Sequence, residues 1–177
     1  MLWNQAIHLV DWVVDLVGHA PEQIFSLQPT LRRQIEAPDH ASLLFTFPGG
    51  VANISASLLA APANFSASIE LLGDLGAIRL GGAGACHIEE VMLSPDAPRA
   101  ISRAEIDAIN LETDLAITQA HQRLYRLAMA QLRGEPRELE QLDATLSVAA
   151  RVTRLLELAA SSAAQQKLLP WSEPPLP

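Results

Sequence analysis

Three polar residues near the start of the chain, Asn4, His8 and Asp11, interrupt a run of apolar residues with helical spacing. Residues three or four positions apart lie on one face of a helix, so these side chains form a polar stripe that Asp15 continues. A histidine beside a carboxylate can donate one ring N–H to it and use the other nitrogen to exchange a proton with a substrate. The spacing therefore predicts either a proton-transfer site or a His–Asp hydrogen bond that only fixes the helix.

Composition excludes several classes of function. The chain has 177 residues and a formal net charge of -8, which repels phosphate backbones, so we expect no nucleic-acid partner. No apolar run is long enough for a membrane span and no basic flank marks a signal peptide, so we expect a soluble, cytoplasmic protein that does not contact a membrane. One cysteine, Cys86, and five scattered histidines give no metal-binding pattern.

The polar stripe must be held by the elements that follow it. The first helix is expected to end at Gly18, because glycine takes the left-handed capping conformation. Alternating apolar and polar residues then predict seven strands, at 22–28, 30–36, 40–47, 51–59, 66–72, 77–80 and 86–93. The glycines at 81–84 precede a strand rather than a helix, so they predict a hairpin turn and not a phosphate-binding loop.

Helical patterns return in the last third of the chain. A short helix is expected at 102–109 and two long ones at 111–133 and 138–164, both packed on one face of the sheet. Five residues of the first long helix are expected in the core: Leu115, Leu124, Leu127, Ala128 and Leu132. The predicted fold class is α+β, an open, largely antiparallel mixed sheet with helices on one face. It forms one substrate and dimerisation domain over 1–170, followed by a proline-rich tail at 171–177.

This order of motifs resembles the C-terminal domain of the Gfo/Idh/MocA oxidoreductase family. That domain opens with a pattern like Gly-Gly-Gly-x-Leu-x-Asp/Asn-x-x-x-His-x-x-Asp, whose later part Leu2, Asn4, His8 and Asp11 match. Further matches are Gly18, the strand and glycine turn at 43–50, the turn at 73–78, the helix from His121 to Gly134, and residues 161–170. The family's N-terminal Rossmann domain and its Glu-Lys-Pro motif have no counterpart in these 177 residues.

The resemblance implies roles for individual residues. His8 stands where the family has its catalytic proton-transfer residue, and Asn4, Asp11 and His121 are the implied substrate-binding residues, with an ordinary partly buried histidine as the alternative for His121. Arg79 and Asn53 lie on polar strand faces that suit either a substrate or another subunit. The chain is expected to bind no cofactor of its own, and NAD or NADP would act only with a Rossmann domain supplied by another chain.

The resemblance leaves three functions open. The first is the substrate-binding and oligomerisation domain of an NAD(P)-dependent sugar or polyol dehydrogenase, which is inactive alone. The second is a non-catalytic ligand-sensing or oligomerisation module derived from that family. The third is an unrelated α+β domain that shares the pattern by chance. In the first two cases a homodimer or higher homo-oligomer through the sheet, and a sugar or polyol ligand, are the expected partners.

Overall fold

The computed structural model describes residues 2–63, 67–82, 84–134 and 146–172. These residues divide into two compact units, one built from both ends of the chain and one from its middle, roughly 62–138. The first unit contains the polar stripe. The organisation of 1–170 as a single domain stays a prediction, and residues 173–177 of the expected tail lie outside the described residues.

The first unit is a four-stranded antiparallel sheet covered by two helices. A π turn, Leu2–Ala6, leads into α1, Ile7–Val17, and three strands follow as β1, Gln23–Leu27, β2, His40–Phe47, and β3, Gly50–Ser57. The long helix α3, Leu146–Gln165, and the short strand β7, Leu169–Pro170, return from the far end of the chain. The strand order is β3-β2-β1-β7. The expected helix over 138–145 lies outside the described residues.

One face of this sheet forms the core with α1 and α3. Alternate residues of the strands point into it because successive side chains of a strand face opposite sides. The helices contribute residues three or four positions apart, as expected for an amphipathic helix. The buried residues include Val10, Val14, Ile24, Leu43, Phe45, Ile54, Leu155, Leu156 and Ala159. The opposite face is open to solvent, and Asn53, Ser55 and Ser57 lie on it as the alternation predicts.

The strand expected at 30–36 is wrong, because this segment forms an irregular loop. The carboxylate of the buried Asp39 accepts the backbone N–H groups of Leu31, Arg32 and Arg33 at 2.7, 2.9 and 2.8 Å. In a β-strand, successive N–H groups point alternately towards the two neighbouring strands. Three consecutive N–H groups that bond to one carboxylate cannot have this arrangement, so the segment is not a strand. The Arg33 guanidinium fastens the loop to the Leu58 carbonyl oxygen at 2.8 Å.

The second unit is a three-stranded antiparallel sheet with one long helix. Its strands are β4, Ile69–Gly73, β5, Gly76–Gly81, and β6, His87–Leu93, in the order β4-β5-β6. Gly76 has a φ of 151°, and a Cβ there would lie 2.3 Å from the Met92 carbonyl oxygen, so only glycine fits this turn. The glycines after β5 lead into β6, so a strand follows this turn, as the sequence predicts.

A single helix, α2, spans Arg103–Leu132, where the sequence predicts a short helix and a separate long one. The side chain of Asn110 attaches it to the edge of β6: its oxygen accepts the Ile88 N–H at 2.8 Å and its amide donates to the Ile88 carbonyl at 3.0 Å. The two long helices therefore belong to different sheets instead of sharing one face. The assignment of Leu115, Leu124 and Leu132 to a core is also wrong, because all three are exposed.

The α+β fold class with open antiparallel sheets is confirmed. Every strand pair among the described residues is antiparallel. No helix in the described part of the chain is both long and apolar enough to cross a membrane.

Candidate functional site

The polar stripe occupies the solvent side of the first helical segment. The side that faces the core carries Leu2, Ala6, Val10 and Val14, four residues apart and all buried. A regular α-helix has 3.6 residues per turn, so side chains four residues apart point in directions that rotate gradually around the helix axis. A π turn holds more residues per turn, so the turn at Leu2–Ala6 offsets part of this rotation. The segment thus keeps one buried face and one polar face along its whole length.

Asn4 and His8 are exposed on that polar face and Asp11 is half-buried beside them. Asn4 lies within the π turn, and His8 lies in the first turn of the α-helix that follows it. The helix ends as predicted: Gly18 adopts a φ of 73°, and its N–H approaches the carbonyl oxygens of Val14 at 3.0 Å and Asp15 at 3.1 Å.

The electrostatics of the stripe centre on Asp11. Partial burial, followed by the nearby Asp15 carboxylate, raises the pKa of Asp11 above its ordinary value, and His8 opposes this effect. No hydrogen bond joins His8 to Asp11 among the described residues, so the expected His–Asp hydrogen bond is not formed in this structure. The imidazole and the carboxylate are therefore separate polar groups, and each can form hydrogen bonds with other partners.

The remaining candidate, His121, belongs to the second unit. It is exposed on α2, two turns after Asp114. The structure thus brings Asn4, His8 and Asp11 together on one helical segment and places His121 on a separate element. Of the two strand residues, Asn53 is exposed on the open face of the first sheet. Arg79 is held between two carboxylates, with Glu70 at 2.9 Å and Glu90 at 2.8 Å.

The structure contains a histidine–carboxylate pair, His87 and Asp114, that the sequence does not predict. His87 Nε2 lies 2.8 Å from the Asp114 carboxylate oxygen and joins the start of β6 to α2. The two residues are 27 positions apart, so no local spacing reveals the pair. The neighbouring thiol of Cys86 is not activated, because burial and then the Asp114 charge raise the pKa of Cys86.

Two observations on the described residues concern metal ions and dinucleotides. They contain no group of three or more His, Cys, Asp or Glu side chains able to hold a metal. A dinucleotide pyrophosphate needs a glycine-rich loop that opens directly into a helix. The glycine turn after β5 continues instead into strand β6.

Comparisons with known proteins agree with this description. The family model of the GFO/IDH/MocA C-terminal domain matches residues 1–79, which include the whole polar stripe and the first three strands. A search of curated proteins found no match. The described fold is thus that of the C-terminal domain of a class of two-domain oxidoreductases. The resemblance of this chain to the Gfo/Idh/MocA family is confirmed by its sequence match and by its fold.

Solved structures match the chain over nearly its full length. The WlbA dehydrogenase from Bordetella pertussis, in complex with NADH and UDP-GlcNAcA, is 26% identical with a TM-score of 0.78, and the match covers 97% of this chain and 47% of that one. WlbA from Chromobacterium violaceum is 24% identical with a TM-score of 0.73, over 96% and 45% of the two chains. Levoglucosan dehydrogenase shares the fold at 14% identity and a TM-score of 0.63, over 96% and 50%. The chain thus spans about half the length of these structures.

Proposed function

We propose that this chain is the substrate-binding and oligomerisation domain of a cytoplasmic sugar dehydrogenase and that the polar stripe of Asn4, His8 and Asp11 holds the substrate. The observation that carries the proposal is the placement of all three residues on the solvent side of α1, opposite its buried face. They are not needed to hold the core together, and Asp11 ionises less readily than an ordinary aspartate. Ionisable groups kept in unfavourable surroundings are typical of functional sites.

Within this site each residue has a distinct task. His8 exchanges a proton with a substrate hydroxyl, because an imidazole nitrogen can act as a general base or a general acid. The Asn4 amide donates and accepts hydrogen bonds with neighbouring hydroxyls, the Asp11 carboxylate accepts them, and together they set the orientation of the sugar. His121, which belongs to the second unit, stays a predicted substrate-contacting residue in its own right. Oxidation itself requires a dinucleotide-binding domain beyond the described residues, so the 177-residue chain alone is expected to be inactive.

The substrate class follows from the relatives with the highest sequence identity given above. Both WlbA dehydrogenases are complexes with UDP-GlcNAcA, a nucleotide-linked sugar acid. We therefore assign a nucleotide-linked sugar, and first of all a sugar acid, to the polar stripe. Simple sugars and polyols remain the alternative substrates, since levoglucosan dehydrogenase holds L-sorbose on the same fold.

The oligomer is assigned to the open face of the four-stranded sheet. Leu27, Leu44 and Val51 are exposed on this face, on three neighbouring strands. Exposed apolar residues on a sheet face suit a self-complementary contact between two copies. Light scattering is expected to give a species at least twice the 19.1 kDa of the chain. A monomer at high micromolar concentration would contradict this part of the proposal.

A ligand-sensing module without catalysis is the second candidate. The two functions share the substrate site and differ in turnover. Sugar oxidation that appears on addition of a dinucleotide-binding domain supports the dehydrogenase, whereas ligand binding without turnover in such mixtures supports the sensor.

Calorimetric titration of UDP-GlcNAcA into the 177-residue chain tests the substrate site. We expect measurable binding to the wild type and its loss in His8→Ala and Asn4→Ala. The matched control is His19→Ala, since His19 is also exposed but lies just beyond the end of α1. Because His8 is exposed, His8→Ala should lower the free energy of unfolding by less than about 1 kcal/mol.

Two results would contradict the site. One is equal affinity of His8→Ala and the wild type for the sugar nucleotide. The other is a loss of more than about 2 kcal/mol of stability in His8→Ala, which would indicate a structural role for the histidine.

A further inference from the structure

The long helix α2 carries an apolar stripe that nothing among the described residues covers. After Thr113 almost every residue of the helix is exposed. The large apolar side chains of the stripe have exposed fractions of 63% at Leu111, 57% at Leu115, 69% at Tyr125, 49% at Met129 and 81% at Leu132. Monomeric proteins rarely leave so continuous an apolar surface uncovered.

The spacing of these residues along the chain is typical of a helix that packs against a second helix. The stripe consists of Leu111, Leu115, Thr118, Gln122, Tyr125, Met129 and Leu132, which follow one another at alternating intervals of four and three. This is the repeat of 3.5 residues that keeps one seam of a helix facing a partner helix. The seam is apolar at both ends and polar at its centre, where Thr118 and Gln122 lie. Polar residues in such a seam fix its register.

The charges beside the seam select both the partner and its direction. Glu112 and Asp114 lie beside the first part of the seam, and no acidic residue occurs from 115 to 134. Arg126 lies beside the second part, whereas Arg123 lies on the outer side of the helix. A second copy of α2 running antiparallel sets the acidic half of each helix against the basic half of the other. A parallel copy would set like charges together, at a cost in stability.

We propose that α2 pairs with the α2 helix of a second copy of this chain in an antiparallel, two-fold symmetric arrangement. With the axis between Thr118 and Gln122, Leu111 lies opposite the partner's Met129 and Leu115 opposite the partner's Tyr125. The same symmetry places Glu112 next to the partner's Arg126, and it repeats every contact once more. Glu112 and Arg126 occupy equivalent positions of the repeat, which face each other in antiparallel helix pairs.

This inference goes beyond the proposed function, because it assigns a second contact between copies that uses a helix and not the sheet. It uses no residue of the polar stripe. It also accounts for an element that local packing leaves unexplained, since Asn110 and His87 fasten only the first part of α2 to its own sheet.

A charge-swap experiment on the 177-residue chain tests the proposal by sedimentation velocity. Glu112→Arg and Arg126→Glu each introduce two like-charge contacts, so each should weaken self-association by about tenfold or more. The double variant Glu112→Arg/Arg126→Glu restores both pairs and should bring the dissociation constant back to near the wild-type value. Arg123→Glu, which makes the same change on the outer side of the helix, is the matched control and should have little effect.

A variant of the open sheet face, Val51→Lys, separates this contact from the one assigned to the sheet. If the single charge reversals leave association unchanged while Val51→Lys weakens it, the helix pair is refuted and the sheet contact stands. If the double variant stays as weak as the single variants, the antiparallel pairing is also refuted. A wild-type chain that remains monomeric at high micromolar concentration refutes both contacts. Circular dichroism confirms that each variant retains its helices.

Discussion

At the residue scale the most informative group is Asp11. Burial and the neighbouring Asp15 raise its pKa, so the folded state holds its proton more tightly than the unfolded state does. The stability that this proton contributes is present below the ordinary pKa of 3.8 and is lost as the pH rises through the higher folded value. At neutral pH the charged carboxylate therefore opposes folding. A residue that costs stability and faces solvent is typical of a binding site.

Replacing this carboxylate tests the sign of the effect. We expect Asp11→Asn to be slightly more stable than the wild type at pH 7, by less than about 1 kcal/mol because the group is only half-buried and solvent screens it. Denaturant melts at pH 3 and pH 7 measure the difference, which should be larger at pH 7. A variant that is clearly less stable than the wild type at pH 7 would show that Asp11 makes a structural contact.

A second test at this scale concerns Ser162, a buried residue of α3. Its hydroxyl oxygen accepts the Ser26 N–H at 3.0 Å, and its O–H donates to the Lys167 carbonyl at 2.6 Å. Ser162→Ala leaves two polar backbone groups without a partner and should cost about 1–3 kcal/mol of unfolding free energy. The adjacent Ser161→Ala is the control and should change stability by less than about 0.5 kcal/mol. Equal effects of the two substitutions would contradict this account.

What the sequence reveals at the residue scale depends on separation along the chain. The stripe of Asn4, His8 and Asp11 can be predicted from the sequence, because residues three and four apart are neighbours on the surface of a helix. The expected hydrogen bond between His8 and Asp11 did not follow, because shared periodicity does not fix side-chain conformation. The pair of His87 and Asp114 is invisible to such reasoning, since only the tertiary fold brings residues 27 positions apart into contact.

At the element scale six of the seven predicted strands are present, with their ends shifted by a few residues. Strong alternation and glycine turns made them predictable. The strand predicted at 30–36 is absent because backbone N–H groups of this segment bond to the side chain of Asp39, eight residues or fewer away, and not to a neighbouring strand. A local side-chain acceptor of this kind overrides strand propensity.

The Asp39 loop makes its own prediction about pH. The Arg33 N–H, together with the N–H groups of Leu31 and Arg32, lowers the pKa of Asp39 to about 2. The resulting stability is present above the ordinary pKa of 3.8 and is lost as the pH falls through about 2. Asp39→Asn should therefore be less stable than the wild type at pH 7, and the difference should shrink towards pH 2. Thermal melts across this range measure it, and a difference independent of pH would argue against the charge.

Helix α2 shows what a sequence pattern leaves undetermined even where it predicts the element correctly. Its apolar residues correctly predicted a helix, but the pattern could not say which surface covers them. Their spacing predicts a place in the core of the same chain, whereas Leu115, Leu124 and Leu132 are exposed. Periodicity gives the orientation of a helical face and says nothing about the molecule that it meets.

At the scale of the whole molecule, the chain covers about half of the dehydrogenases that it matches. Both WlbA structures contain NADH, whereas the glycine turn after β5 in this chain leads into a strand and not into a helix. We therefore expect no appreciable binding of NAD(H) or NADP(H) to the 177-residue chain in calorimetric titrations. One-to-one binding with a micromolar dissociation constant would reveal a cofactor site of a kind that the fold does not suggest.

The central claim is that the solvent side of α1 binds a nucleotide-linked sugar. NMR titration of UDP-GlcNAcA into isotope-labelled chain tests it most directly, because the imidazole signals of the five histidines report on separate surfaces. The account predicts that the His8 ring and the Asn4 side-chain amide shift with a common dissociation constant, while His19 and His40 stay unchanged. Unchanged signals of His8 and Asn4 at saturating ligand, or shifts confined to the other histidines, would contradict it.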